Sequence, residues 1–300
     1  MSKSINRSKE PRLNNNKRPL LLSACFVVVS MLLISCAQPT VPKLVQSNWQ
    51  PYLAGKFVWY DLFTSDLKIS AAFYQELFGW EFTDSDFKKD RVKTIQFRGM
   101  PIANAVEIKF PDDGASRPKW LGYISVEDVD HTVDTVKQYG GRIHIAPKNL
   151  PHRGRIAVCV DPQGAIFAVV RSSTGDPPDT PLVNHQLIGS ELWTGDLDAA
   201  LAFYQVSVGY SEMPVIMEDG STYRLLAANN RPRAGLAEIL WEDVRPNWVP
   251  YVVVENVRET VAKAEAGGGK LLLGLRDDAS ENSAAILSDP TGAVFGIQQR

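Results

Sequence analysis

The chain has 300 residues, of which 44% are hydrophobic, 22% are charged and 9% are aromatic. This length fits two folded domains, and the composition excludes a disordered chain, a collagen-like chain and a membrane protein with many spans. The formal net charge of −2 indicates no basic surface, so no nucleic-acid partner is expected.

The N-terminal segment predicts a secretion signal. Residues 1–18 carry six basic side chains against one acidic side chain, and residues 20–34 form an almost continuous apolar run. This run is shorter than the about 20 residues of a membrane-spanning helix. A short apolar core behind a basic segment is typical of a signal peptide, and an uncleaved membrane anchor is the alternative interpretation.

The apolar run ends in the sequence LISC at residues 33–36, which resembles the lipobox of bacterial lipoproteins. The resemblance implies that residues 1–35 are removed and that Cys36 carries lipid, including a palmitate-type acyl chain. Several acyl chains together anchor a protein stably to a membrane. Since Ala37 rather than aspartate follows, the resemblance implies sorting to the outer membrane of the bacterial cell envelope, facing the periplasm. The proline-containing residues 36–56 are predicted to be the tether.

An internal repeat determines the domain organisation. Two pairs of segments match, at offsets of 130 and 128 residues: DLFTSDLKISAAFYQ at 61–75 with ELWTGDLDAALAFYQ at 191–205, and WLGYISVEDV at 120–129 with WVPYVVVENV at 248–257. We therefore predict two homologous units at residues 57–171 and 187–300. The linker between them, residues 172–186, contains three prolines.

The predicted elements of the first unit follow one rhythm. Asp66 and Gly79 are suited to the beginning and the end of its first helix. The elements in chain order are a strand at 57–64, a helix from Asp66 to Gly79, strands at 92–97 and 102–110, a strand at 121–126, a helix from about Asp130 to Gly140, and strands at 142–146, 155–160 and 165–171. The pattern is β-α-β-β-β, twice per unit. One such module has too few strands to bury a core, so modules should pair.

Short motifs recur in the same order in both units: Asp-Leu, Phe-Tyr, Gly-Gly and Asp-Pro-x-Gly. This ordered set resembles the vicinal oxygen chelate superfamily, which includes glyoxalase I, extradiol dioxygenases and bleomycin-resistance proteins. The resemblance implies tandem glyoxalase-like α+β domains. Each domain would be built from two paired β-α-β-β-β modules that form a curved eight-stranded cup. The resemblance leaves a homodimer open, because such proteins commonly exchange modules between chains.

Enzymes of this superfamily hold a divalent metal in the cup through His, Glu or Gln. Carried over from the shared motifs, the ligand positions fall on Trp59, Glu107, Leu121 and Ala168 in the first unit and on Gly189, Glu238, Val249 and Gly296 in the second. One carboxylate per cup does not make a transition-metal site of three or four protein ligands. We therefore predict no cofactor and no metal site, with Glu107 and Glu238 as weak metal candidates and a divalent metal as the alternative.

Aromatic and acidic side chains are predicted to line the cups instead. Strand alternation places Trp59 and Asp61 on one face, and Tyr123 shares that face from a neighbouring strand. The candidate ligand-binding residues of both cups are Trp59, Asp61, Tyr123, Glu191, Trp193 and Tyr251. Aromatic walls with a few polar groups are typical of small-molecule pockets. As an alternative, these side chains are core residues and the carboxylates bond to nearby backbone.

The sequence therefore predicts an exported, lipid-anchored glyoxalase-like protein whose partners are a membrane and a small molecule. Its cup would bind an aromatic or oxygenated molecule without the usual metal ligands. Two alternatives stay open: a metal-dependent lyase, dioxygenase or hydroxylase-like enzyme of the same superfamily, and a non-catalytic envelope scaffold whose cups are filled by side chains. No catalytic residue is assigned, so enzymatic activity is left undecided.

Overall fold

The computed structural model describes residues 43–44, 51–85, 91–111, 116–217, 220–241, 244–274 and 284–299. The predicted signal peptide and Cys36 lie outside these residues. Within the described part of the chain, no helix has both the length and the apolar character needed to cross a membrane.

The first unit is one eight-stranded sheet with two helices. Its strands are β1 (Phe57–Thr64), β2 (Glu81–Asp84), β3 (Val92–Phe97), β4 (Met100–Glu107), β5 (Lys119–Ser125), β6 (Arg142–Leu150), β7 (Gly154–Val160) and β8 (Ile166–Ser172), and its helices are α1 (Leu67–Phe78) and α2 (Val129–Gln138). The strand order is β2-β3-β4-β1-β5-β8-β7-β6. The first and last strands of each module pair in parallel, and the antiparallel pair β1–β5 joins the two modules.

The second unit repeats this topology. Its strands are β9 (Leu187–Thr194), β10 (Ser211–Ile216), β11 (Thr222–Ala228), β12 (Arg231–Glu238), β13 (Asn247–Val254), β14 (Lys270–Leu273), β15 (Ala284–Ser288) and β16 (Val294–Gln299), and its helices are α3 (Leu197–Val208) and α4 (Val257–Ala266). The order β10-β11-β12-β9-β13-β16-β15-β14 matches the first sheet strand for strand. The predicted fold class, tandem α+β domains of paired modules, is confirmed.

The first helix of each unit begins and ends where the sequence predicts. Asp66 accepts a hydrogen bond from the backbone N–H of Ile69 at 2.9 Å, which satisfies one of the free donors at the start of α1. Gly79 ends the helix with φ of 68°, a conformation that costs glycine little. Asp196 and Gly209 do the same for α3.

Two features of the first module differ from the prediction. The β-α-β-β-β pattern requires the edge strand β2, but the sequence did not locate it, because four residues are too few for an alternating pattern to show. Strand β4 begins at Met100 rather than at 102, because Arg98 and Gly99 have φ of 52° and 73° and form a tight turn directly after β3. Positive φ at both central residues is the feature of hairpin turns that match the strand twist.

The helices lie between the two sheets, so both units share one core. Helix α1 packs against α4 and α2 packs against α3, across the boundary between the units. Aromatic rings continue these contacts: Phe295 lies 5.5 Å from Tyr74 between ring centroids, and Phe167 lies 5.3 Å from Tyr204. Burial of these rings is a favourable contribution to the free energy that joins the units.

Two buried aspartates connect the units by hydrogen bonds. The Tyr204 hydroxyl donates to Asp161 Oδ2 at 3.1 Å and accepts from the indole N–H of Trp248 at 2.9 Å. Oδ1 of Asp161 accepts three backbone N–H groups of its own turn, at 2.7 to 2.9 Å. The equivalent residues in the other half are Tyr74, Trp120 and Asp289. The Phe-Tyr and Asp-Pro-x-Gly motifs therefore hold the two units together, and they lie away from the cups.

Candidate functional site

The cup of the first unit is organised around Asp61. Strand β1 places Asp61 and Trp59 on the concave face, and β5 brings Tyr123 directly opposite Trp59. The Tyr123 hydroxyl donates to Asp61 Oδ2 at 2.7 Å, and the indole N–H of Trp59 donates to Oδ1 at 3.0 Å. The amide of Asn104 on β4 also donates to Oδ1, at 3.2 Å. The three residues that the sequence proposed for this cup therefore meet at one carboxylate, and their role in ligand binding stays a prediction.

An arginine that the sequence did not predict completes this cluster. Arg153 follows β6 in a turn and is 3% exposed, and its guanidinium carbon lies 3.9 Å from the centroid of the Trp59 ring. Burial lowers the pKa of Arg153, whereas the nearby charge of Asp61 acts to raise it. Burial also raises the pKa of Tyr123, and the Asp61 charge adds to this, so the hydroxyl stays protonated and donates.

The segment predicted to be a tether contributes an apolar side chain to the same cup. Leu44 is 4% exposed and belongs to the buried cluster that contains Trp59, Leu121 and Tyr123. This contact could not be predicted from the sequence, because no apolar periodicity surrounds Leu44. Trp59, Arg153 and Leu44 together fill much of the first cup with side chains of the chain itself.

The cup of the second unit is organised around Glu191. Oε2 of Glu191 accepts from the indole N–H of Trp193 and from the Tyr251 hydroxyl, both at 2.7 Å. Oε1 accepts from the Tyr223 hydroxyl, which the sequence analysis missed. Tyr223 reaches Glu191 because Gly235 lies between them on β12, where a Cβ atom would overlap the tyrosine oxygen. Burial and the Glu191 charge raise the pKa of both tyrosines, so both hydroxyls stay protonated.

The second cup differs from the first at the Trp59 position and at its rim. Trp59 is 1% exposed, and its equivalent in the second unit is Gly189, which has no side chain to fill the space. Glu191 and Trp193 are only half-buried. Trp241 lies at the rim, is 45% exposed and stacks on Trp193 with ring centroids 6.2 Å apart and planes 17° apart. The second cup thus combines a half-buried carboxylate with partly exposed tryptophan side chains.

The residues at the family's metal positions do not fit a metal ion. Trp59, Leu121 and Ala168 in the first cup, and Gly189, Val249 and Gly296 in the second, offer no side-chain acceptor. Across the described residues, no group of three or more His, Cys, Asp or Glu side chains lies close enough to hold a metal.

The two weak metal candidates lie outside the cups. Glu107 pairs with Thr64, which alternates to the face opposite Asp61, and its Oε2 accepts the backbone N–H of Leu67 at 3.0 Å. This carboxylate therefore accepts a hydrogen bond from one of the free backbone N–H groups at the start of α1. Glu238 pairs with Thr194 in the same way and is exposed. Placing them in the cups was wrong by one residue of strand alternation.

Comparison with known proteins identifies relatives. The sequence profile of the Glyoxalase/Bleomycin resistance protein/Dioxygenase superfamily matches residues 56–169. The protein named "Putative glyoxylase CFP32" of Mycobacterium tuberculosis (strain CDC 1551 / Oshkosh) is 32% identical over 250 residues, which cover 82% of this chain and 95% of that protein. The anthracycline biosynthesis protein DnrV of Streptomyces peucetius is 29% identical over 259 residues, which cover 82% of this chain and 94% of that protein.

Solved structures share the fold at low sequence identity. The Mn(II)-bound glyoxalase from Novosphingobium aromaticivorans superposes with a TM-score of 0.57 at 16% identity, covering 82% of this chain and 83% of that chain. The dioxygenase LapB from Pseudomonas sp. KL28 superposes with a TM-score of 0.55 at 12% identity, covering 83% of this chain and 92% of that chain. Together with the sequence matches, this shows that the chain belongs to the Glyoxalase/Bleomycin resistance protein/Dioxygenase superfamily.

Proposed function

We propose that the second cup binds a small aromatic or oxygenated molecule. The observation that supports this most directly is the Glu191 carboxylate, which three donors hold in place while it stays half-buried among aromatic side chains. A carboxylate fixed by its own neighbours is ready to accept a hydrogen bond from a ligand without first being ordered. The aromatic side chains would stack on a flat ligand, and a relative named for anthracycline biosynthesis supports a ligand of this class.

Binding without a metal accounts for the side chains at the family's ligand positions. A metal-dependent lyase, dioxygenase or hydroxylase-like activity would need donors at Trp59, Leu121 or Gly189, where none is available. Because one relative is named as a glyoxylase, the metal-dependent enzymatic function is the alternative to test against metal-free binding. The filling of the first cup by Arg153 and Leu44 fits a structural role for that unit.

The test is a calorimetric titration of the purified full chain in detergent, with naphthol and with catechol as the two ligands. We expect saturable binding at one site per chain, and a loss of at least about tenfold in affinity for Trp193→Leu, because the stacking face is removed. Leu182→Ala, an exposed leucine in the linker, is the control and should bind as the parent chain does. Absence of saturable binding to either compound refutes the proposal. About one equivalent of metal per chain, purified without chelator, would support the enzymatic alternative.

We also propose that the protein is exported and anchored through lipid on Cys36, at the outer membrane facing the periplasm. The basic segment, the apolar run and the sequence LISC support this. Replacement of Cys36 by alanine should leave an unprocessed precursor without lipid. Normal maturation of that variant in a labelled-palmitate experiment would contradict the proposal.

A further inference from the structure

We infer that the ligand of the second cup carries a positive charge, as an amine, ammonium or guanidinium group. This inference rests on the proposed function and adds the charge of the ligand. The two cups place a carboxylate at the same strand position but differ in the charged groups near it.

The first cup contains its own cation. The Arg153 guanidinium lies over the Trp59 ring at 3.9 Å and within electrostatic reach of Asp61 and Tyr123. At 3% exposure, this arginine needs a nearby negative charge and a polarisable ring to offset its loss of water. The first cup therefore shows how this fold accommodates a planar cation: an indole face lies 3.9 Å beneath it, and a carboxylate acts on it electrostatically.

The second cup repeats the carboxylate, the tyrosine and the indole of this arrangement. Glu191 replaces Asp61, Tyr251 replaces Tyr123, and an indole again donates to the carboxylate. The indole has changed side: Trp59 lies two residues before its acid on the strand, whereas Trp193 lies two residues after. With Gly189 at the Trp59 position, the second cup has no side chain where the first cup has the Trp59 indole.

No basic side chain among the described residues bonds to Glu191. Its three partners are a tryptophan and two tyrosines, which are uncharged donors. The repeat aligns Arg153 with Glu281 in the sequence, an acidic residue that lies outside the described part of the chain.

The arginines of the neighbouring strands face other carboxylates. Arg233 on β12 pairs with Asp179 at 2.8 Å, and Arg231 pairs with the same aspartate at 3.2 Å. Arg224 on β11 pairs with Asp198 at 2.5 Å and with Glu212 at 3.1 Å. The negative charge of Glu191 is therefore not balanced by these arginines.

Aromatic side chains surround Glu191 and provide faces for a cation. Trp193 and Trp241 are stacked at the rim, and Tyr223 and Tyr251 flank the carboxylate. A cation over a tryptophan face is attracted by the negative charge density of the ring, and a carboxylate beside it strengthens the binding. An anionic ligand would instead be repelled by Glu191 without compensation.

Three probes of nearly the same shape test the inference in the purified full chain in detergent: phenethylamine, phenethyl alcohol and phenylacetate, which are positive, neutral and negative at neutral pH. We expect phenethylamine to bind at least about tenfold more tightly than the alcohol, and phenylacetate more weakly than both. Glu191→Gln should lower the affinity for phenethylamine to that of the alcohol and leave the alcohol within about twofold. Glu191→Asp keeps the charge and should keep the order of the three affinities.

The control variant is Glu265→Gln, which removes the same charge from an exposed position on α4 and should change none of the three affinities. Equal affinity for the amine and the alcohol would overturn the inference and leave the proposed function standing. Failure of all three probes, and of naphthol, would overturn both. A preference for the amine that survives Glu191→Gln but disappears in Asp61→Asn would place the cation in the first cup and overturn the inference.

Discussion

The hydrogen bonds between the units make a quantitative prediction for Tyr204→Phe. The Tyr204 hydroxyl is fully buried, donates to the Asp161 carboxylate and accepts from the Trp248 indole. Phenylalanine keeps the ring and its packing, so only these two hydrogen bonds are lost. A bond to a charged group contributes about 1.5 to 3 kcal/mol and a neutral one about 1 kcal/mol, and the buried indole N–H is left without an acceptor. We expect the free energy of unfolding to fall by about 2 to 4 kcal/mol.

Guanidinium denaturation followed by circular dichroism measures this change through the shift of the midpoint at constant slope. Tyr139→Phe is the matched control, because its hydroxyl belongs to a side chain that is 49% exposed, and it should change the free energy by less than about 0.5 kcal/mol. Tyr74→Phe, the equivalent substitution in the other half, should cost as much as Tyr204→Phe. A loss below about 0.5 kcal/mol for Tyr204→Phe would refute the view that these bonds stabilise the junction of the units.

Three further substitutions test other parts of the structure. Gly235→Ala should displace Tyr223 from the second cup, because the new methyl group overlaps its hydroxyl, and should weaken naphthol binding at least about fivefold; calorimetry with unchanged affinity would contradict this. Burial tends to raise the pKa of Asp179, but hydrogen bonds from Arg233 and Lys56 outweigh this effect and lower the pKa to about 2. The stabilisation by charged Asp179 should be present above about pH 4 and disappear between about pH 4 and pH 2. Asp179→Asn should therefore reduce the dependence of the unfolding free energy on pH over that interval. Leu44→Ala should lower the unfolding free energy by about 2 kcal/mol, measured by thermal denaturation, and unchanged stability would show that the tether contact is unimportant.

Local signals made most of the fold predictable. Asp66 and Gly79 mark the ends of α1 because N-terminal capping and left-handed conformations strongly favour particular residue types. The edge strand Glu81–Asp84 escaped prediction because its pairing with β3, rather than its own pattern, makes it a strand. The hairpin at Arg98 and Gly99 escaped because arginine is uncommon at positive φ.

The candidate site was predictable only where it depends on strand alternation. Asp61 and Tyr123 meet because one face of β1 lies opposite one face of β5, which a period of two and a repeated motif can indicate. Arg153 reaches the cup from a turn, and the sequence around it resembles an ordinary exposed loop. Tyr223 depends on the missing side chain of Gly235 on another strand, a relation that no local pattern contains. Glu107 was misplaced because one residue of register moves a side chain to the opposite face.

The shared core has a consequence for synthesis of the chain. A ribosome completes the first unit, at Ser172, before α3, α4 and β16 exist, although these elements cover its helical face. At about 5 to 20 residues per second, synthesis of the chain from Ser172 to the end of β16 takes roughly 6 to 25 seconds, and the apolar face stays uncovered for that time. During this interval a second newly made chain can offer the same face, with a tyrosine and an aspartate in complementary positions. The linker of residues 172–186 therefore does more than connect two units, because it keeps the correct partner at high local concentration before a neighbouring chain can take its place.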